Sequence, residues 1–208
     1  MNAMGDNTLR FPGALNTLQY QGITEQMPPP WRVLTDFLVI SGARLGEAAA
    51  LADTALDPAR GTVRIERTWR PGPGGWVLAP AMCPRTIVVP QNLFNRLNVD
   101  NVGGKLFRIE GACGPGLMTR YARRIWRPAV LAVADELLGG RRPPVAVLRT
   151  TCGLWLAEAG VPWPVIAAHL GYPPPVLRSR VASDTTLGSG SRRWGQHLDG
   201  RIGGQAVE

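Results

Sequence analysis

A short island of alternating residues set between helical stretches constrains this chain most. Thr62-Val63-Arg64-Ile65-Glu66-Arg67-Thr68-Trp69 alternates apolar and polar side chains, as a half-buried strand does. Pro71-Gly72-Pro73-Gly74-Gly75 supplies a turn, and Trp76-Val77-Leu78 and Arg85-Thr86-Ile87-Val88-Val89-Pro90 follow as further strands, so a three-stranded antiparallel sheet is expected. On either side the period changes. Trp31, Val33, Leu34, Phe37, Leu38 and Ile40 crowd one helical face until Ser41-Gly42 breaks it, and a second short helix runs from Arg44 to Leu51. Further helices are expected over 91–97, 117–126, 128–138, 147–159 and 162–170. The expected fold class is therefore α+β, mostly helical with a small antiparallel sheet. Residues 1–27 lack a sustained period and read as an arm ending at Met27-Pro28-Pro29-Pro30, residues 28–185 as one domain, and the Gly-rich stretch 186–208 as a flexible tail.

A chain of 208 residues that is 45% hydrophobic and holds seven Trp can bury a core, which excludes disorder throughout. No apolar run reaches membrane-spanning length and the N-terminus lacks an apolar signal core, so no membrane association and a cytoplasmic location are expected. Cys83, Cys113 and Cys152 are odd in number and share no ligand spacing, so neither a disulfide framework nor a metal site is expected. The phosphate-cradling GxxxxGK[ST], HExxH and GxSxG patterns are absent, and no cofactor is expected.

The formal charge is +8, and Lys105 is the only lysine among 23 basic residues. Guanidinium is always charged and presents a planar fork of donors that matches phosphate oxygens, so an anionic partner is one reading of the excess. Codon bias that loads arginine onto a solvated surface is the other.

Two stretches about a hundred residues apart are more specific. The first is Ser41-Gly42-Ala43-Arg44-Leu45-Gly46-Glu47-Ala48-Ala49-Ala50-Leu51, followed by the strands. The second is Leu148-Arg149-Thr150-Thr151-Cys152, then Leu156-Ala157-Glu158-Ala159-Gly160-Val161-Pro162, then His169-Leu170-Gly171-Tyr172. In this order they resemble the catalytic domain of the tyrosine recombinases, the phage integrase family, over roughly residues 28–183. That family shows a TGxRxxE-like helix start, a lysine-bearing hairpin, an HxLRH helix with an LLEAGV-like turn, and LGH ahead of a nucleophilic tyrosine. The resemblance implies duplex DNA as partner and chemistry without metal or cofactor. A tyrosine hydroxyl attacks a scissile phosphate to give a 3′-phosphotyrosine and release a 5′-hydroxyl. Two arginines clamp the non-bridging oxygens while a lysine protonates the leaving oxygen. By position those arginines are Arg44 and Arg149, and Glu47 is either the acidic residue that holds the region in place or a solvated helix charge.

The departures from the family pattern are many. The hairpin lysine should fall near Pro80, where Ala79-Pro80-Ala81-Met82-Cys83-Pro84 holds none. The histidines of HxLRH fall on Ala146 and Thr150, that of LGH on Tyr172, and the nucleophile on Val181. The chain has only Tyr20, Tyr121 and Tyr172 to offer instead. Tyr20 lies in the expected arm, Tyr121 in an arginine-rich helix, and Tyr172 in the slot of a phosphate-contacting donor, which a phenol can fill. His169 reads as a helix-end residue beside C-terminal carbonyls.

Arg120, Arg124 and Arg127 fall on one helical face with Arg123 beside them, suited either to tracking a phosphate backbone or to solvation. Arg64 and Arg67 on the first strand, and Arg178 and Arg180 ahead of the nucleophile slot, extend the same argument. The expectation is a DNA-binding protein of recombinase type whose catalytic site is degenerate. The alternatives are a recombinase that uses Tyr172 or a partner recombinase's tyrosine in trans, and a non-DNA interaction protein or decaying remnant. The family's separate N-terminal helical domain does not fit within residues 1–27, and the tail lacks the apolar helix used for docking on a neighbouring protomer.

Overall fold

The structure, a computed structural model, describes residues 11–97, 104–172 and 200–202. It opens on a helix where the sequence reading placed none. α1, Thr17–Glu25, is started by a capping box in which Asn16 accepts from the Gln19 amide and Gln19 reaches back to the Asn16 amide. Its face carries Tyr20 and Ile23 into the core together with Phe11, Leu15 and Met27. The expected arm is thus part of the globule from Phe11 onward, and its short apolar stripe is too sparse to show a period.

α2, Pro29–Ser41, starts on prolines in its first turn and stops at Gly42, whose φ of 58° is the left-handed conformation that glycine adopts without strain. α3, Leu45–Ala48, is shorter than expected and lies so close to the sheet that a Cβ on Gly46 would stand 2.4 Å from the Trp69 carbonyl oxygen. The sheet has the order β1-β2-β3, all antiparallel: β1 Leu56–Asp57, β2 Thr62–Gly72 and β3 Gly75–Val88. The expected second and third strands are one long strand, β3, and the third partner is the two-residue edge β1. Continuity through Ala79–Pro84 is possible because β3 proline side chains fall on exposed positions, while a register shift in β2 between Ile65 and Arg67 takes up the irregularity. Along β3 the inward row runs Ala79, Ala81, Cys83, Arg85, Ile87, and α3 and α9 (given below) cover that side.

α4, Gln91–Arg96, packs on α2. The helix that should run from Leu117 to Trp126 is α5, Gly114–Arg120, continued by a π-helical turn, Tyr121–Trp126, into α6, Arg127–Ala132. Pro128 explains the π turn: it has no N–H to donate to the Arg124 carbonyl, and its ring forces that carbonyl away. The widened turn brings Tyr121 and Trp126 to the same buried side, their rings 6.4 Å apart. α7, Ala134–Leu137, packs with α6 on α1. α8, Val147–Glu158, crosses α2 at the centre, and α9, Trp163–Leu170, folds back from it onto β3. Within the expected tail, Arg201 bonds Glu158 at 2.8 Å and covers the Trp155 ring, and Ile202 is buried. Residues 200–202 therefore lie against α8. Among the described residues no helix is long and apolar enough to cross a membrane.

Two of the three tyrosines are spent on structure. Tyr20 Oη donates to Asp36 Oδ1 at 2.5 Å while Arg96 donates to Asp36 Oδ2 at 2.7 Å. Tyr121 Oη and Thr35 Oγ1 are hydrogen-bonded at 2.8 Å. Burial pushes both phenols well above their ordinary range. Neither can serve as a surface nucleophile, and Tyr172 is the exposed one.

Candidate phosphate-binding site

The C-terminus of α2 organises the site. The last carbonyls of a helix have no intrahelical donors and carry the negative end of its dipole. Here donors from the far end of the chain take them. His169 Nε2 donates to the Ile40 carbonyl at 3.0 Å, Cys152 Sγ to the same oxygen at 3.3 Å, and Arg149 Nη1 to the Gly42 carbonyl at 2.8 Å. A carbonyl can only accept, so Nε2 is the protonated nitrogen of the neutral imidazole. The two motif stretches, a hundred residues apart in sequence, meet through these bonds.

Arg44 precedes α3 and Glu47 sits one turn into it, so the Glu47 carboxylate accepts from the Arg44 amide at 3.0 Å and from its guanidinium at 3.2 Å. Glu47 is buried and structural, which decides between the two readings of that residue. Arg85, which sequence reasoning missed as a site residue, enters from β3: its Nη2 donates to Glu47 Oε2 at 2.9 Å, its Nε to the His169 carbonyl at 2.8 Å, and its side chain is 7% exposed. The signal was present, because Arg85 falls on the apolar row of an alternating strand, where a guanidinium needs a buried acceptor. Paired with two guanidiniums, Glu47 is held below the ordinary carboxylate range even though burial opposes it.

Two guanidiniums thus pair with one carboxylate, and a third, that of Arg149, lies near them. Arg149 is held below its ordinary pKa by burial first, then by Arg44 and Arg85 nearby. Its Nη2 is buried and has no hydrogen-bond partner among the described residues. The Tyr172 ring lies under the same guanidinium, 5.0 Å from its carbon to the ring centroid, and packs on Trp163. Arg44 is 45% exposed and gives the cluster an open side.

Burial, with Arg85 and Arg149 adding to it, pushes His169 down to about 4. The unfolded chain binds this proton from about pH 6.5, so between about pH 6.5 and 4 the unfolded state carries more protons and stability falls as pH falls. The expected loss is about 2–3 kcal/mol over that window. Asp36, raised by burial, acts with the opposite sign. The comparison that isolates the imidazole is therefore His169→Gln, which keeps a donor for Ile40 and does not titrate. Denaturant titrations should show the gap between the two proteins shifting against the wild type below pH 6.5, and parallel profiles would refute the assignment.

The remaining expected residues are placed as follows. Pro80 is exposed on β3, paired with Arg67, and brings no cation to the cluster. Ala146 and Thr150 line an open groove of about 460 Å³ with Arg141 and Arg142, so the two histidine slots hold small side chains beside two further arginines. Arg120 is tied to Glu110 at 3.1 Å, whereas Arg123, Arg124 and Arg127 are exposed on the π turn and the start of α6. Arg123 and Arg124 lie within the π turn, whose wider spacing is not the α-helical one on which the single face was expected. α5, which leads into them, touches α3. Arg64 and Arg67 are exposed on β2. Arg178, Arg180 and Val181 lie outside the described residues.

No protein-family model matches the chain, and no curated protein matches it. Solved structures do. The Tn1549 transposon integrase in complex with transposon right end DNA matches with a TM-score of 0.62 and 16% identity, covering 82% of this chain and 62% of that one. The same integrase in complex with circular intermediate DNA matches with TM-scores of 0.62 and 0.64, at 17% and 16% identity, over 86% of this chain in each case. The chain spans less than two thirds of the length of each of these structures. The arrangement that carries Arg44, Arg85 and Arg149 to the end of α2 is thus built on the fold of a transposon integrase.

Proposed function

We propose that this chain is a duplex-DNA-binding protein of the tyrosine recombinase type, gripping backbone phosphate with Arg44 and Arg149 and lacking strand-cleavage activity. The observation that carries this reading is the uncompensated cluster: Arg44 and Arg85 are both paired with Glu47, Arg149 lies near them with no carboxylate bonded to it, and its Nη2 is buried without a partner among the described residues. A phosphate oxygen supplies both the missing acceptor and the missing charge. The DNA complexes of the integrase that shares the fold support the choice of anion. Arg123, Arg124 and Arg127 extend the contact along the backbone, with Arg120, Arg178 and Arg180 as further candidates, and a cytoplasmic location goes with this work. Fluorescence anisotropy on a random-sequence duplex should give affinity that falls log-linearly with salt, with a slope of about −0.9 for each phosphate held. Affinity no greater than that of an unrelated basic protein would end the reading.

Loss of cleavage rests on the leaving group. Expelling the 5′ oxygen requires a proton donor, and the hairpin offers Pro80 where the recombinase pattern has lysine. Tyr172, the exposed tyrosine, has its ring packed against Arg149, which supports a place on the flank of a gripped phosphate rather than the in-line place that attack requires. Nicked suicide duplexes incubated with the protein should leave no covalent band on a denaturing gel. A band that disappears in Tyr172→Phe would instead make Tyr172 the nucleophile.

A further inference from the structure

Arg85, with a side chain 7% exposed, is too deep to touch a DNA backbone. Glu47 is the only carboxylate bonded to this cluster among the described residues, and both Arg44 and Arg85 are bonded to it. The two pairings differ. Arg85 meets Glu47 at 2.9 Å with a side chain 7% exposed, fixed at its other edges by the His169 and Cys83 carbonyls, so it cannot turn outward. Arg44 meets Glu47 at 3.2 Å through a single nitrogen and is 45% exposed, so its remaining donors face solvent. A buried carboxylate takes a full counter-charge from whichever cation is available. With Arg85 in place that cation is Arg85; without it, the nearest is Arg44.

Building on the DNA-binding reading above, we propose that Arg85 is a positioning residue that neutralises Glu47 and thereby leaves the Arg44 guanidinium free to hold phosphate. Remove the Arg85 charge, and Glu47 draws Arg44 inward and cancels it, so that one phosphate contact is lost by a residue that never meets DNA. A merely structural Arg85 would lower stability and leave the number of phosphates held unchanged.

The salt dependence of duplex binding separates these two roles. Anisotropy titrations across a salt series would compare the wild-type chain with Arg85→Gln, Arg85→Lys and the double variant Arg85→Gln/Glu47→Gln, each checked for folding by circular dichroism. Arg85→Gln keeps a donor facing Glu47 but no charge, and its slope should fall by about 0.9, one phosphate's worth. Arg85→Lys keeps the charge and should keep the slope, and the double variant, with no carboxylate left to neutralise, should regain it. A folded Arg85→Gln with the wild-type slope, or a double variant that fails to regain it, overturns the proposal. If Arg85→Gln does not fold, Arg85→Met, which also removes the charge, takes its place with the same expected fall in slope, and a folded Arg85→Met with the wild-type slope, or an Arg85→Lys with a reduced one, overturns the proposal. A wild-type chain without salt-dependent affinity removes the DNA-binding reading and this inference together, whereas an unchanged slope in Arg85→Gln removes the inference alone.

Discussion

Arg149→Ala is expected to weaken duplex binding by about tenfold to a hundredfold while leaving the fold intact. A hydrogen bond to a charged group contributes about 1.5–3 kcal/mol, and about 1.4 kcal/mol is a factor of ten in affinity. The slope of affinity against salt should fall by about 0.9 at the same time. The effect on stability sets this arginine apart from an ordinary buried one. Truncation gives up the bond to the Gly42 carbonyl and the contact with the Tyr172 ring. It also removes a guanidinium that burial, Arg44 and Arg85 all disfavour, along with a buried donor that has no partner among the described residues. These terms oppose each other, so thermal stability should stay within about 1 kcal/mol of the wild type. A residue kept at an electrostatic disadvantage in the free protein is one whose compensation comes from a ligand. Phosphate or sulfate should accordingly raise the melting temperature of the wild type more than that of the variant. If Arg149→Ala unfolds the protein, or binds DNA as the wild type does, Arg149 is structural and the phosphate site is misplaced.

The largest stability loss is expected one helical stretch further on, at Trp155→Ala. Trp155 is fully buried on α8, meets Tyr20 of α1 edge to face at 5.2 Å, and lies under Arg201. It joins the central helix to the first helix and to residues 200–202. Removing a buried Trp side chain costs about 3–5 kcal/mol, because the surrounding groups do not close the cavity fully. At this chain length each kcal/mol moves the melting temperature by about 2–4 °C, so a drop of about 10 °C is expected by calorimetry. Trp155→Phe should cost clearly less, since it keeps a ring against Tyr20 and removes an indole N–H that is buried without a partner among the described residues. A drop of under about 1 kcal/mol for the alanine variant would show that α1 is not joined to α8 through this residue.

The sequence by itself determined what depends on neighbours along the chain. The mixed helical architecture with a small antiparallel sheet was legible from periodicity, because a period of two or of 3.6 reports which side of a local element faces the core. The stop of α2 at Gly42 and the Arg44–Glu47 pairing were within reach as well, since both involve residues two or three positions apart. Tertiary structure alone decided the rest. α1 is short and half polar, and its stability comes from Trp155 and Asp36, which lie 135 and 16 residues from Tyr20. The π turn at Tyr121–Trp126 goes with Pro128 and with the burial of two rings, and spacing along the chain did not show it. Arg85 carried a local sign of importance, an arginine on an apolar row, but its acceptor lies 38 residues away in α3, and no rule of spacing identifies it. The convergence of Arg44, Arg85 and Arg149 is likewise a property of how α8 and α9 cap the carbonyl end of α2. Burial there fixes the strength of each charge, and burial is set by contacts between segments that sequence order keeps apart.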